Sequence, residues 1–152
     1  MKYFFSISIL CLTLLSCDEK TKDESAKILE EDSIFLNEDH YRAIIFEINR
    51  NTEIKISAEL KSGPSVELLL MDNNNYNKWE TEVTNGQFSN VQISYFPESS
   101  ISPLASTYET QWMPISKGIY ALVIENTDFG NTAPPINLVD DSALIEYKIL
   151  LD

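Results

Sequence analysis

Cysteine is nearly missing from this 152-residue chain: it occurs at Cys11 and Cys17 and nowhere later. Everything from residue 18 onward is therefore barred from disulfides, from thiol nucleophiles and from thiolate zinc sites, so an apolar core has to hold it. Glycine is scarce too, with four residues, and no phosphate-cradling glycine loop, Gly-x-Ser-x-Gly or His-Glu-x-x-His occurs. The single histidine, His40, lies in the charged run Asn37-Glu38-Asp39-His40-Tyr41. That setting is neither a metal-ligand pair nor a nucleophile elbow, and His40 reads as a solvated surface residue.

Positive charge is the next shortage. Lys and Arg number 11 against 24 Asp and Glu, a net charge of −13, with no basic cluster. A nucleic acid partner is excluded on these grounds, because a polyanion would meet net repulsion. Anionic headgroups would repel the folded part as well, which leaves solubility as the plain meaning of the charge.

What the chain does have is an apolar start. Lys2 precedes the run Tyr3 to Leu15, which is almost wholly apolar or hydroxylic and too short to span a bilayer of roughly 30 Å. It reads as an export leader. The closing Leu14-Leu15-Ser16-Cys17 resembles the lipobox of bacterial lipoproteins, which implies residues 1–16 as signal peptide and lipid on Cys17. Two or more acyl chains hold a soluble domain on a membrane, at about 0.8 kcal/mol per buried methylene. Residues 17–32, opening Asp18-Glu19-Lys20-Thr21-Lys22-Asp23-Glu24, are polar enough to read as a flexible tether, with at most a helical turn or two over Ser25 to Asp32. The expected location is the bacterial cell envelope, on the outer membrane. The acidic stretch resembles a surface-export signal of Bacteroidota lipoproteins, whereas aspartate after the cysteine resembles an inner-membrane retention signal elsewhere, so the leaflet stays open at this point.

Residues 33–152 carry period-two patterning. Ile54, Ile56, Ala58 and Leu60 alternate with Glu53, Lys55, Ser57 and Glu59, a strand with one wet face. Ile44, Phe46 and Ile48 precede it across Asn49-Arg50-Asn51-Thr52, which predicts a hairpin. Ser62-Gly63-Pro64-Ser65 breaks the chain before the apolar strand Val66 to Met71 and the polar loop Asp72 to Asn77. Trp79 to Val83 and Phe88 to Tyr95 flank Asn85-Gly86 as a second expected hairpin. Phe96 to Thr107 reads as a surface connection and Tyr108 to Trp112 as a short strand. Ile119 to Glu125, apolar on both sides, belongs mid-sheet. Asn126 to Asp141, with Gly130, Pro134 and Pro135, is irregular, and Leu144 to Leu151 closes the chain as a strand.

Seven or eight strands without a sustained helical period predict an all-β antiparallel sandwich of jelly-roll or Greek-key type. The segments Ile54 to Leu60, Val66 to Asp72 and Gly118 to Asn126, with the Gly118-Ile119-Tyr120 turn, resemble bacterial pre-peptidase C-terminal domains. That resemblance spans Tyr41 to Asp152 and implies a secreted jelly-roll accessory domain, although no peptidase precedes it in the sequence given.

Three kinds of chemistry are open to such loops. Carboxylates such as Glu125 and Asp128 invite comparison with a glycosidase pair, which needs two acids about 5 to 10 Å apart. Asp72, Asn74 and Asp128, with Asn131, Asp140 and Asp141 nearby, are candidate calcium ligands, although neither loop has the spaced Asp-x-Asp-x-Asp-Gly pattern. No other cofactor is expected. Tyr76 and Trp79 beside the asparagine run, and Phe96, Trp112 and Phe129 near connections, could stack on sugars or on a protein partner, or else cap the core. The leading expectation is a non-catalytic, lipid-anchored envelope module presenting loops to a glycan or envelope protein. The rival is a carboxylate-dependent envelope hydrolase, which a cleft with two close acids would favour.

Overall fold

The computed structural model describes residues 26–86, 92–127 and 141–152. Among them the elements run β1 (Lys27–Leu36), β2 (His40–Ile48), β3 (Thr52–Ser62), β4 (Val66–Asp72), α1 (Asn73–Asn85), β5 (Ile101–Leu104), β6 (Thr107–Glu109), β7 (Met113–Ile115), β8 (Gly118–Asn126) and β9 (Ala143–Leu151). One sheet has the order β1-β9-β3-β6, with β7 also on β3, and the other has β2-β8-β4-β5. Every pairing is antiparallel. Most connections cross from one sheet to the other, and this interleaving is that of a jelly-roll sandwich. β6 and β7 share one strand position beside β3. Thr110 joins them, its N–H donating to Ile56 O at 2.9 Å and its hydroxyl accepting from Ile56 N at 3.0 Å.

The alternating residues fill the space between the sheets. Ile48, Ile54, Ile56, Leu68, Leu70, Leu122, Ile124, Ile145 and Ile149 are fully buried there. Tyr120 folds back over Gly118, where a Cβ would stand 3.2 Å from its ring. The outer face of the β1 sheet is charged instead. Lys61 bridges Glu59 (2.8 Å) and Glu146 (3.0 Å), which face each other across β3 and β9, while Lys148 meets Glu31 at 3.2 Å. Exposed pairs of this kind add little to stability, because solvent screens them.

Several sequence expectations are corrected. Lys27 to Asp32, read as tether with a helical turn, is the first part of β1. Its alternation is hidden because a bulge between Ile28 and Glu30 shifts the register, so Leu29 and Ile34 both reach the core despite an odd spacing. The expected hairpin of β2 with β3 does not form: β2 pairs with β8, and β3 with β9. Trp79 to Val83 is helix, not strand. The connection Phe96 to Thr107 contains a 3-10 turn, Pro97–Ser99, and β5, whose Ile101 and Leu104 are buried. Of the expected strand Phe88 to Tyr95, residues 88–91 lie outside the described residues, and 92–95 are not strand. The expected leader, Cys17 and residues 128–140 of the irregular run also lie outside them.

Gly63 is the least replaceable turn residue. Its φ is +95°, and a Cβ there would meet Ser142 O at 2.2 Å and Ala143 Cα at 2.6 Å, both backbone atoms. Gly63→Ala is expected to destabilise the domain by about 3 kcal/mol, combining left-handed strain with a steric clash. Urea denaturation checks this, and a loss under a few tenths of a kcal/mol would refute it.

Candidate functional site

The outer face of the β2-β8-β4-β5 sheet holds a second apolar cluster under α1. Asp72 starts this helix as its N-cap: Oδ1 accepts from Asn75 N at 2.8 Å and Oδ2 from Asn75 Nδ2 at 2.9 Å. Gly86, at φ +60°, ends it, its N–H donating to the carbonyls of Glu82 and Val83. Tyr76, Trp79 and Val83 then share the face that lies on Leu69, Met71, Ala121 and Val123.

This placement corrects the reading of Tyr76 and Trp79 as exposed loop aromatics. Trp79 is 7% exposed and meets Tyr41 edge-on, with ring centroids 4.8 Å apart at 89°. Tyr76 is buried and donates to Glu80 Oε1 at 2.6 Å. Both are core residues of the helix–sheet layer, as the capping alternative has it. Of the calcium candidates, Asp72 has both oxygens engaged in capping, Asn74 is exposed in the first helical turn, and Asp128 lies outside the described residues. His40 is exposed, its Nδ1 2.7 Å from Glu38 O within its own turn.

Further along the same sheet face stands a pair of acids. Glu67 on β4 and Glu125 on β8 are direct cross-strand partners, 0% and 1% exposed. Ser102 on β5 donates to Glu67 Oε1, and Thr127 donates to Glu125 Oε2 at 2.8 Å. Two carboxylates opposed in a dry site cannot both stay ionised. Burial first, and then the hydrogen bond to Glu67, push the Glu125 carboxyl up to about 8. At neutral pH this holds Glu125 toward its protonated form beside Glu67, which accepts from the Ser102 hydroxyl.

The pair does not have the layout of a glycosidase site. A sugar bond must lie between the two acids, whereas these residues stand directly opposite each other on adjacent strands and are shut away from solvent. Nor does Ser102 sit in a nucleophile elbow, because the next residue is Pro103, which lacks the N–H that such an elbow turns toward an oxyanion. Sequence reasoning named Glu125 but passed over Glu67. The available signal was a single charge inside the apolar strand Val66 to Met71.

Ser102 also lines an open groove of about 360 Å³ at the β5 and β6 edge. Its walls are Tyr95, Pro97, Ile101, Pro103 and Tyr108, and Tyr108 is 55% exposed. Neighbouring Phe96 is also exposed, with its ring centroid 6.0 Å from that of Tyr120. Solvent-facing aromatics thus cluster here rather than on α1. Of the other aromatics considered, Trp112 is half-buried with Lys55 Nζ 5.9 Å from its ring centre, and Phe129 lies outside the described residues.

No family model matches the chain, and no curated protein matches it. Among solved structures it is similar to the pre-peptidase C-terminal domain of collagenase from Bacillus anthracis. Identity is 13% and the TM-score 0.45, over 78% of this chain and 88% of that one.

Proposed function

We propose that this protein is a lipid-anchored, non-catalytic binding module of the bacterial cell envelope, held on the outer membrane through Cys17 and presenting the β5 and β6 edge to a glycan or an envelope protein. The observation that carries the reading is the groove of exposed tyrosines and prolines at one edge of a rigid sandwich. Its position fits an anchored protein. The chain enters the sheet at β1, three strand positions from β6, or about 14 Å at the usual spacing. A ligand at the groove therefore approaches the edge away from the tether.

The lipid anchor is supported by the apolar leader and the Leu14-Leu15-Ser16-Cys17 ending. Cys17→Ser is expected to move the protein from the detergent phase into soluble or unprocessed fractions, and unchanged retention of the mature chain would rule the anchor out. For the binding face, Tyr108→Ala in the full chain should abolish capture of envelope components while leaving the thermal midpoint within a degree or two. Undiminished capture would remove the groove from the function.

A further inference from the structure

We propose that the groove takes an uncharged, polyhydroxylated glycan segment, with Tyr95 and Tyr108 stacking on sugar rings and Ser102 Oγ accepting a hydrogen bond from a sugar hydroxyl. This rests on the groove being the binding face of the module.

Charge makes the first selection. None of the groove's lining residues is acidic or basic, and the whole chain carries −13. An anionic polysaccharide would be repelled at long range and find no cation at contact, while a cationic ligand would find no carboxylate in the walls. The polar atoms make the second. Ser102 directs its proton to Glu67 Oε1, so its oxygen presents only lone pairs to the groove. Donation to a carboxylate also strengthens that oxygen as an acceptor. Ser100 has less to offer, since its hydroxyl donates to Phe96 O at 2.7 Å and accepts from Leu70 N at 2.9 Å. The groove thus calls for a ligand rich in O–H donors with apolar ring faces, and a neutral sugar chain supplies both.

An extended peptide fits less well. The natural way for a peptide to dock at a sheet edge is to add a strand, and β5 carries Pro103, which lacks the N–H that such pairing needs.

The test titrates the full chain, purified in detergent, with neutral hexasaccharides (cellohexaose, xylohexaose, mannohexaose and chitohexaose) by calorimetry. Hexagalacturonate serves as the acidic arm and a polyproline peptide as the peptide arm. Binding of at least one neutral hexasaccharide is expected. Tyr108→Ala should weaken it about tenfold or more, the scale of one lost stacking contact. Ser102→Ala should also weaken it, with the thermal midpoint recorded so that loss of folding is not mistaken for loss of contact. Absence of binding by every neutral hexasaccharide at millimolar concentration overturns the proposal. So does equal or tighter binding of hexagalacturonate or polyproline, or neutral-sugar binding that Tyr108→Ala leaves unchanged. If capture of envelope components depends on Tyr108 while no sugar binds, the glycan assignment falls and the binding-module reading stands. If neither depends on Tyr108, both fall.

Discussion

Raising the pH from 4.5 to 8 is expected to remove several kcal/mol of folding stability through the buried Glu125–Glu67 pair, at about 1.4 kcal/mol per pH unit for each proton released. The direction follows from proton counting. The unfolded chain ionises Glu125 near its ordinary value of 4.5, whereas in the folded domain burial and the bond to Glu67 hold the proton until about pH 8. Between those values the folded state binds more protons, so stability is greatest below 4.5 and declines as pH rises through 8. A loss of that size rivals the whole stability of a typical domain, which is about 5 to 15 kcal/mol. Glu125→Gln isolates the term. Its amide places an N–H donor beside Glu67 without ever ionising. Urea denaturation across the window should show a steep decline for the wild type and a much flatter one for the variant. Parallel curves would mean that Glu125 carries no shared proton.

Trp79→Ala is expected to destabilise the domain by about 3 to 5 kcal/mol, the usual figure for truncating a large buried aromatic. Trp79 sits between α1 and the sheet, edge-on to Tyr41 and packed with Leu69, Met71, Ala121 and Val123. Its removal opens a cavity between rigid strands on one side and a 13-residue helix on the other. Because a helix of that length is marginal without tertiary packing, helical circular dichroism should fall along with the thermal midpoint. A midpoint within a degree of wild type, together with lost ligand binding, would restore Trp79 to the role of an exposed stacking residue.

The strands flanking the central core were legible because each buries one face against the opposite sheet, and that burial writes period-two alternation into β2, β3 and β9. β4 and β8 were legible for a different reason: buried on both faces, they are apolar throughout. α1 was misread. Its Glu80-Thr81-Glu82-Val83-Thr84 stretch mixes polar and β-branched residues in a way that suits a strand. The helix signals were present all the same, in the Asp72 cap, the Tyr76, Trp79 and Val83 spacing and the Gly86 stop. β1 was hidden by its bulge and by Glu30-Glu31-Asp32, which an edge strand tolerates on its wet side.

By itself the sequence determined the class of this protein. It specified a β-rich domain with a cysteine-free core, strong negative charge and an apolar N-terminal run shortly before Cys17, because alternation, composition and charge are local properties of the chain. Which strands meet was decided only in three dimensions. The turn Asn49 to Thr52 is compatible with a hairpin or with a crossing between sheets, and the crossing prevails because β2 pairs along its full length with β8 while β3 pairs from Ile54 to Ser62 with β9. The meeting of Glu67 with Glu125, and of Ser102 with Glu67, likewise depends on register across three strands, with the first two 58 positions apart in sequence. The groove of Tyr95 and Tyr108 forms only once β5 and β6 lie on facing sheet edges, a long-range arrangement that no local pattern encodes.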